Sequence, residues 1–322
     1  MTDVAPSPFA DVSAEPGSAK PDPIILVDNI TRSFGGLRAV DVAHLEVQRG
    51  AITGLIGPNG AGKTTFFNLL TGFDRADTGT WSLDGVSLSR MHPHQVARRG
   101  VVRTFQLTRA LAKMSVLDNV RLGATHQTGE RILNSLFHFR WRKQEAQITE
   151  RAHEMLVRFK LDAKANDMAG SLSGGQRKLL EMARALMTEP KVVMLDEPMA
   201  GVNPALTENL LVHISSLRDE GMTVVFVEHD MDVIRDISDW VVVMAQGAVI
   251  AESLPEALAD NNAVVDAYLG SHHDQALEFD DAGNPVGATA ELAEEIEQAV
   301  VDTIESGGDL SESEIPESPR RP

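Results

Sequence analysis

The sequence predicts an α/β fold in which helices cover a mostly parallel sheet and a helical segment interrupts the alternation. Three observations lead there. Short apolar, β-branched runs at residues 51–56, 191–195, 223–227 and 240–244 have the two-sided apolar character of strands buried between layers. Helical stretches around 205–218 and 231–237 separate the later strands, as crossover helices separate parallel strands. Between residues 115 and 187 β-branched runs give way to Arg, Lys, Glu, Gln, Ala, Leu and Met, which favour helix.

Taken in order, residues 1–23 are rich in Pro, Ala, Ser and Asp, with neither a basic start nor an apolar stretch of the secretory kind, and are expected as a disordered leader. Residues 24–27 and 45–47 read as strands on either side of the turn-forming Gly35-Gly36. Residues 51–56 form a third strand that runs straight into a glycine-rich loop, and 64–70 then carry apolar residues at helical spacing: strand, glycine loop, helix. Residues 80–83 followed by Asp84-Gly85 resemble a hairpin strand and its turn. Beyond residue 270, Leu292, Ile296, Val300 and Ile304 recur every four positions, so one amphipathic helix is expected in a segment, 271–322, otherwise composed for disorder.

Composition narrows the function classes. No apolar run approaches the roughly 18–20 residues of a membrane-spanning helix, so contact with a membrane is expected to be peripheral or through a partner. The absence of cysteine excludes disulfides and thiolate metal sites and agrees with a reducing compartment. The formal charge is −18, but residues 271–322 hold 14 Asp and Glu against 2 Arg, so the body of the chain is only mildly acidic. It offers no basic stripe, and nucleic acid is disfavoured as a partner.

Gly57-Pro58-Asn59-Gly60-Ala61-Gly62-Lys63-Thr64-Thr65 fits the phosphate-loop pattern of glycine, four residues, then Gly-Lys-Thr. Its glycines let backbone N–H groups encircle phosphate oxygens, and the helix that follows points its positive end at them. Lys63 would neutralise the β- and γ-phosphates, and the Thr64 hydroxyl would ligate Mg²⁺. A second phosphate-handling element is expected at the end of another buried strand. Val192-Val193-Met194-Leu195-Asp196-Glu197 supplies it: Asp196 would hold Mg²⁺, mainly through water, and Glu197 would act as general base on the attacking water. Alone, an Asp-Glu pair after a strand is more often a helix N-terminal charge pair, and the upstream loop reverses that judgement. Leu172-Ser173-Gly174-Gly175-Gln176 opens a helical stretch and suits either a second anion cradle or a simple serine cap.

With these motifs the sequence closely resembles the ATP-binding cassette family over roughly residues 24–270, Leu172–Gln176 standing where the family carries its signature. The resemblance implies a P-loop NTPase (RecA-like) core over 24–105 and 187–270, an antiparallel β subdomain, and an inserted helical subdomain over about 106–186. It implies that Ser173, Gly174, Gly175 and Gln176 close over ATP held by a second cassette, as homodimer or heterodimer. By the same resemblance Phe34 stacks on adenine, Gln106 senses Mg²⁺ and water, and His229 contacts the γ-phosphate. Asn203 departs from the pattern, since many members have Asp there and Asn lacks its charge.

Phe34-Gly35-Gly36-Leu37, the run Val101 to Gln106, the run Met199 to Pro204, Glu228-His229-Asp230-Met231 and the ending Asp266 to Gly270 are similar to cassette subunits of bacterial high-affinity branched-chain amino-acid importers. That implies ATP and Mg²⁺, transmembrane permease subunits, indirectly a solute-binding protein, and a place on the cytoplasmic face of the inner membrane. Lipopolysaccharide-type export and a soluble, non-transport cassette ATPase stay open as alternatives. Leu107, Leu111, Met114 and Val116 are candidates both for gripping a permease and for helical core. Arg140, Trp141, Arg142 and Lys143 form a basic-aromatic cluster suited to lipid headgroups, for which a solvated helix face is the expected reading.

Overall fold

The computed structural model describes residues 8–9, 11–104, 110–125, 127, 138–202, 204–258, 261, 263–264 and 266–267. The tail and its expected helix, with Gln106, Leu107 and Asn203, lie outside the described residues, as do the side chains of Arg140 and Trp141.

Two sheets organise the chain. In the first, β1 (Pro23–Phe34) and β2 (Leu37–Gln48) form a hairpin across Gly35-Gly36, both glycines at positive φ. β1 also pairs antiparallel with β4 (Thr78–Leu83), which turns at Asp84-Gly85 into β5 (Val86–Ser87), giving the order β2-β1-β4-β5. β1 and β2 run much longer than the apolar cores that mark them in the sequence, because their outer positions alternate buried with exposed and polar residues.

The second sheet contains β3 (Ile52–Ile56), β6 (Val101–Arg103), β7 (Val192–Asp196), β8 (Thr223–Val227), β9 (Trp240–Ala245) and β10 (Ala248–Ser253), in the order β10-β9-β3-β8-β7-β6. All neighbours are parallel except β10, which returns antiparallel to β9. Every residue of β3, β7 and β8 is buried, which accounts for their continuous apolar runs. Neither β6 nor β10 is marked by the apolar pattern: one is three residues long and the other an edge strand with a partly exposed face.

Helix α1 (Lys63–Leu70) follows β3, and α2 (Pro93–Arg99) leads into β6. Helices α3 (Val116–Arg121), α4 (His138–Arg158) and α5 (Gly174–Leu186) pack together between β6 and β7 as the expected insertion. α6 (Pro204–Asp219) and α7 (Met231–Ile237) connect β7 to β8 and β8 to β9. The register sets Leu55 and Asp196 level with Val227, so the segments leaving β3, β7 and β8 emerge at one edge of the sheet. No helix among the described residues is long and apolar enough to cross a membrane.

The expected disordered leader requires correction where its residues are described. Phe9 is 1% exposed and stacks on Trp240 with ring centroids 4.9 Å apart. Lys20 Nζ lies 2.8 Å from Glu252 Oε2, both side chains fully buried, and 4.6 Å from the Trp240 ring. The Glu252 carboxylate also accepts from Trp240 Nε1 at 2.9 Å and the Gly17 N–H at 2.7 Å, while the Lys20 N–H donates to Glu46 Oε2 at 2.6 Å. The segment therefore straps the β9–β10 edge to β2. Its overall composition conceals two anchors, one aromatic and one cationic, and those two supply the buried area and the charge pairing that hold it.

Glu252→Ala leaves the Lys20 ammonium buried without its carboxylate and is expected to destabilise the fold by about 3–5 kcal/mol. Thermal unfolding followed by circular dichroism should show a fall in midpoint on the order of 10 °C. A change of less than about 2 °C would mean that the strap does not hold the described fold together.

Candidate active site

The glycine loop is fixed by close approach from both sides. Gly57 and Gly62 have φ of 147° and 97°, and a Cβ at either would run into backbone, the carbonyl oxygen of Met244 at the first and that of Ala39 at the second. The loop is thus wedged between the end of β9 and the start of β2, and only glycine fits. No side chain caps α1, whose backbone ladder opens with the Phe66 N–H donating to the Gly62 carbonyl at 2.8 Å. The N–H groups of Lys63, Thr64 and Thr65 precede that bond, and with the helix dipole they suit an anion.

Lys63 is folded across the loop, its Nζ donating to the carbonyls of Gly57 at 2.5 Å and Pro58 at 3.0 Å. Burial lowers its pKa, and the negative charges of Glu197 and Asp196 act in the opposite sense. The register that ends β3 and β7 at one sheet edge places the three predicted side chains, Lys63, Asp196 and Glu197, where their charges act on one another. Thr64 is exposed at the first turn of α1.

Asp196 closes β7, largely buried, and is ion-paired with Arg103 of the adjacent β6. Arg103 Nη1 also donates to Asn68 Oδ1 at 2.6 Å, so one guanidinium ties Asp196 to the helix that follows the phosphate loop. Sequence reasoning gave Arg103 no role. Its only signal was its place in the run Val101 to Gln106. Glu197 is in the left-handed region with φ 46°, uncommon outside glycine, and its N–H donates to the Val227 carbonyl at 3.0 Å. Just past the neighbouring strand β8, Glu228 is buried while the His229 side chain is 71% exposed, its Nδ1 3.8 Å from Glu228 Oε2. Burial pushes the Glu228 pKa up, against the pull of the Met199 N–H that it accepts at 2.9 Å.

Phe34, 48% exposed, sits at the tip of the β1–β2 hairpin. The Arg32 guanidinium lies 4.5 Å from its ring and is held by Asp74 at 2.8 Å and Asp77 at 2.9 Å. Ala39, a few residues along the same hairpin, touches the loop at Gly62, so the hairpin tip stands beside the phosphate loop.

The Leu172–Gln176 segment is a separate group, joined to residues 57–65 by no hydrogen bond or ion pair among the described residues. Ser173 caps α5 in a capping box: its Oγ accepts from the Gln176 N–H at 3.3 Å, and Gln176 Oε1 accepts from the Ser173 N–H at 3.1 Å. The Ser173 hydroxyl hydrogen is left for another acceptor. Of the apolar residues beyond residue 106, Val116 is fully buried and belongs to the helical core, Met114 is half-buried, and Leu111 is exposed.

Mg²⁺ is a hard cation that takes oxygen ligands, commonly one or two carboxylates with substrate phosphates. The Thr64 hydroxyl and the Asp196 carboxylate fit that donor set. No group of three or more metal-ligating side chains exists among the described residues, so phosphate oxygens would have to complete the shell.

Comparison with known proteins gives a consistent result. Residues 40–200 match the ABC transporter family. A probable branched-chain amino acid transport ATP-binding protein of Archaeoglobus fulgidus is 43% identical over 248 residues, covering 77% of this chain and 96% of its own length. A high-affinity branched-chain amino acid transport ATP-binding protein of Pseudomonas aeruginosa is also 43% identical, over 250 residues, covering 77% and 98%. Among solved structures, an ATP-binding cassette of an ABC transporter in its ADP conformation superposes with a TM-score of 0.67 at 38% identity, covering 77% of this chain and 99% of that one. A nucleotide-free cassette from an ABC transporter gives 0.67 at 37%, covering 76% and 98%. With a phosphate loop on the edge of a mostly parallel sheet, two acidic side chains beside it and relatives matched over almost their whole length, this chain belongs to the ABC transporter family.

Proposed function

We propose that this chain hydrolyses ATP to power an importer of branched-chain or other hydrophobic amino acids. The observation that carries the hydrolytic reading is the register that sets the end of β3, where the glycine loop begins, and the end of β7, where Asp196 and Glu197 stand, level with Val227 at one edge of the sheet. Relatives named for branched-chain amino acid transport carry the choice of solute.

The loop 57–62 and the N–H groups at the start of α1 bind the β- and γ-phosphates, and Lys63 exchanges its two carbonyl acceptors for phosphate oxygens. Mg²⁺, when bound, would offset phosphate charge and orient the β- and γ-oxygens, held by Thr64 and Asp196, with Gln106 as a further ligand. Arg103, ion-paired with Asp196 and bonded to Asn68, holds that carboxylate at the sheet edge. Glu197 takes the proton of the attacking water, and His229, exposed at the end of β8, reaches the γ-phosphate. Phe34 stacks on the adenine, a contact of about 1–3 kcal/mol in base-stacking systems.

Ser173, Gly174, Gly175 and Gln176 close over ATP held by a second cassette. The capping box does not oppose this, because it uses the Ser173 oxygen as acceptor and spares its proton as donor. Closure of the pair drives permease subunits between access states and hydrolysis resets them, with a solute-binding protein acting upstream. The exposed Leu111 and Leu122, the latter on a groove that Val102, Ala124 and Ala185 also line, offer the apolar surface for a permease helix at the cytoplasmic face of the inner membrane.

Lys63→Ala is expected to weaken ATP binding by about tenfold or more in calorimetric titration. Unchanged affinity would overturn the phosphate-loop assignment. Glu197→Gln is expected to bind ATP normally yet lose roughly 100-fold or more in turnover, the scale of a missing general base. It should accumulate closed dimers on size-exclusion chromatography with ATP, and turnover at the unsubstituted rate would remove Glu197 from the base role.

A further inference from the structure

The turn that carries the proposed base is gripped from two directions by groups of opposite charge. Lys178, on the second turn of α5, directs its ammonium at three main-chain carbonyls in succession: Ala200 at 2.5 Å, Pro198 at 2.9 Å and Glu197 itself at 3.4 Å. That engages all three donors an ammonium has. From the other side, the buried Glu228 carboxylate accepts the Met199 N–H at 2.9 Å. Between these grips the turn is closed by its own bonds, Ala200 N–H to Glu197 carbonyl at 3.2 Å and Val202 N–H to Met199 carbonyl at 3.1 Å.

The backbone held in this way is a costly one. Glu197 is at φ 46°, and a non-glycine residue persists there only when its surroundings over-determine it. Lys178 is itself half-buried. Burial lowers its pKa, and the negative charges facing it, Glu228, Glu181 and Glu197, act to keep it charged. A surface lysine would shed neither water nor rotamer freedom for three carbonyls that solvent could serve equally well.

We propose that Lys178 and Glu228 are positioning residues for hydrolysis, a clamp that fixes the left-handed turn and so aims the Glu197 carboxylate at the attacking water. Lys178 stands on the helix whose N-terminus is Ser173. One ammonium therefore joins the base of one nucleotide site to the segment that closes over the other. The inference rests on the reading of Glu197 as base, and the sequence offered no sign of it, since Lys178 looks like one more polar residue on an amphipathic helix.

The test is steady-state ATP hydrolysis by the full-length chain, with ATP affinity measured separately by titration. Lys178→Met is expected to lower kcat by about 10- to 100-fold, the scale of a small misplacement of a reacting group, with Kd for ATP within about twofold of the unsubstituted value. Lys178→Arg, which keeps a cation and donors, should recover part of the loss. Glu228→Ala should lower kcat similarly, whereas Glu228→Gln, whose amide oxygen still accepts the Met199 N–H, should stay near the unsubstituted rate. An undiminished kcat in Lys178→Met, or a kcat loss matched by an equal loss of ATP affinity, overturns the clamp. If Lys178→Met does not fold, the Glu228→Ala and Glu228→Gln pair decides, and equal rates for the two overturn it. Glu197→Gln run alongside separates the two ideas. Normal hydrolysis there defeats the base assignment, while its loss beside an active Lys178→Met defeats the clamp alone.

Discussion

The contact between the phosphate loop and the carbonyl oxygens of Met244 and Ala39 sets the layout of the molecule. It binds three separate pieces of chain into one constraint: the loop after β3, the end of β9 and the start of β2. Because β9 is β3's parallel neighbour, the sheet register carries that contact on one side. On the other side the antiparallel sheet must bring Ala39 to Gly62, and the Asp41 N–H bond to the Gly247 carbonyl at 2.7 Å fixes the same junction. An antiparallel sheet that only decorated the core would have no need of such an approach. Here it forms one wall of the loop, and the hairpin that ends in Phe34 inherits its position from that wall.

Charge is arranged around the loop with similar economy. Two cations, Lys63 and Arg103, and two carboxylates, Asp196 and Glu197, stand where β3, β6 and β7 end. Arg103 is pinned between Asp196 and Asn68, and a guanidinium remains charged whatever its surroundings, so Asp196 always faces a fixed positive partner. Lys63 is different. Its ammonium rests on carbonyl oxygens that a phosphate can replace, so the side chain is already desolvated before an anion arrives and pays little for the exchange. Fixed charge belongs to the metal-binding carboxylate we propose, and exchangeable charge to the phosphate ligand.

How far the sequence showed this depends on the range over which each signal acts. The loop, its helix and the strands β3, β7, β8 and β9 are legible because their causes are local: glycine spacing, and apolar runs long enough to bury both faces of a strand. β6 escaped notice because three residues carry no period, and β10 because an edge strand with a partly exposed face lacks the apolar run of its neighbours. Lys63, Asp196 and Glu197 were found through motifs. Arg103, Lys178 and Glu228 were not, since each acts on a partner that the fold supplies from 20 or more residues away in sequence. Ser173 shows the reverse case: its sequence suited a helix cap and an anion cradle equally, and the structure displays the cap, which uses the Ser173 hydroxyl as an acceptor.

The N-terminal strap raises a question of purpose that its energetics can answer. A buried Lys–Glu pair is poor value as a source of stability, since a well-packed apolar pair of the same volume commonly does as well or better. What Lys20 and Glu252 add is uniqueness. Glu252, held in place by the Trp240 indole, accepts from both the Lys20 ammonium and the Gly17 N–H, and sliding the strap by one residue would break both of those bonds at once. An apolar anchor tolerates such a slip, because contact area changes gradually with position and hydrogen bonds do not. Lys20 and Glu252 thus specify one placement of a segment whose composition alone would leave it without a fixed position.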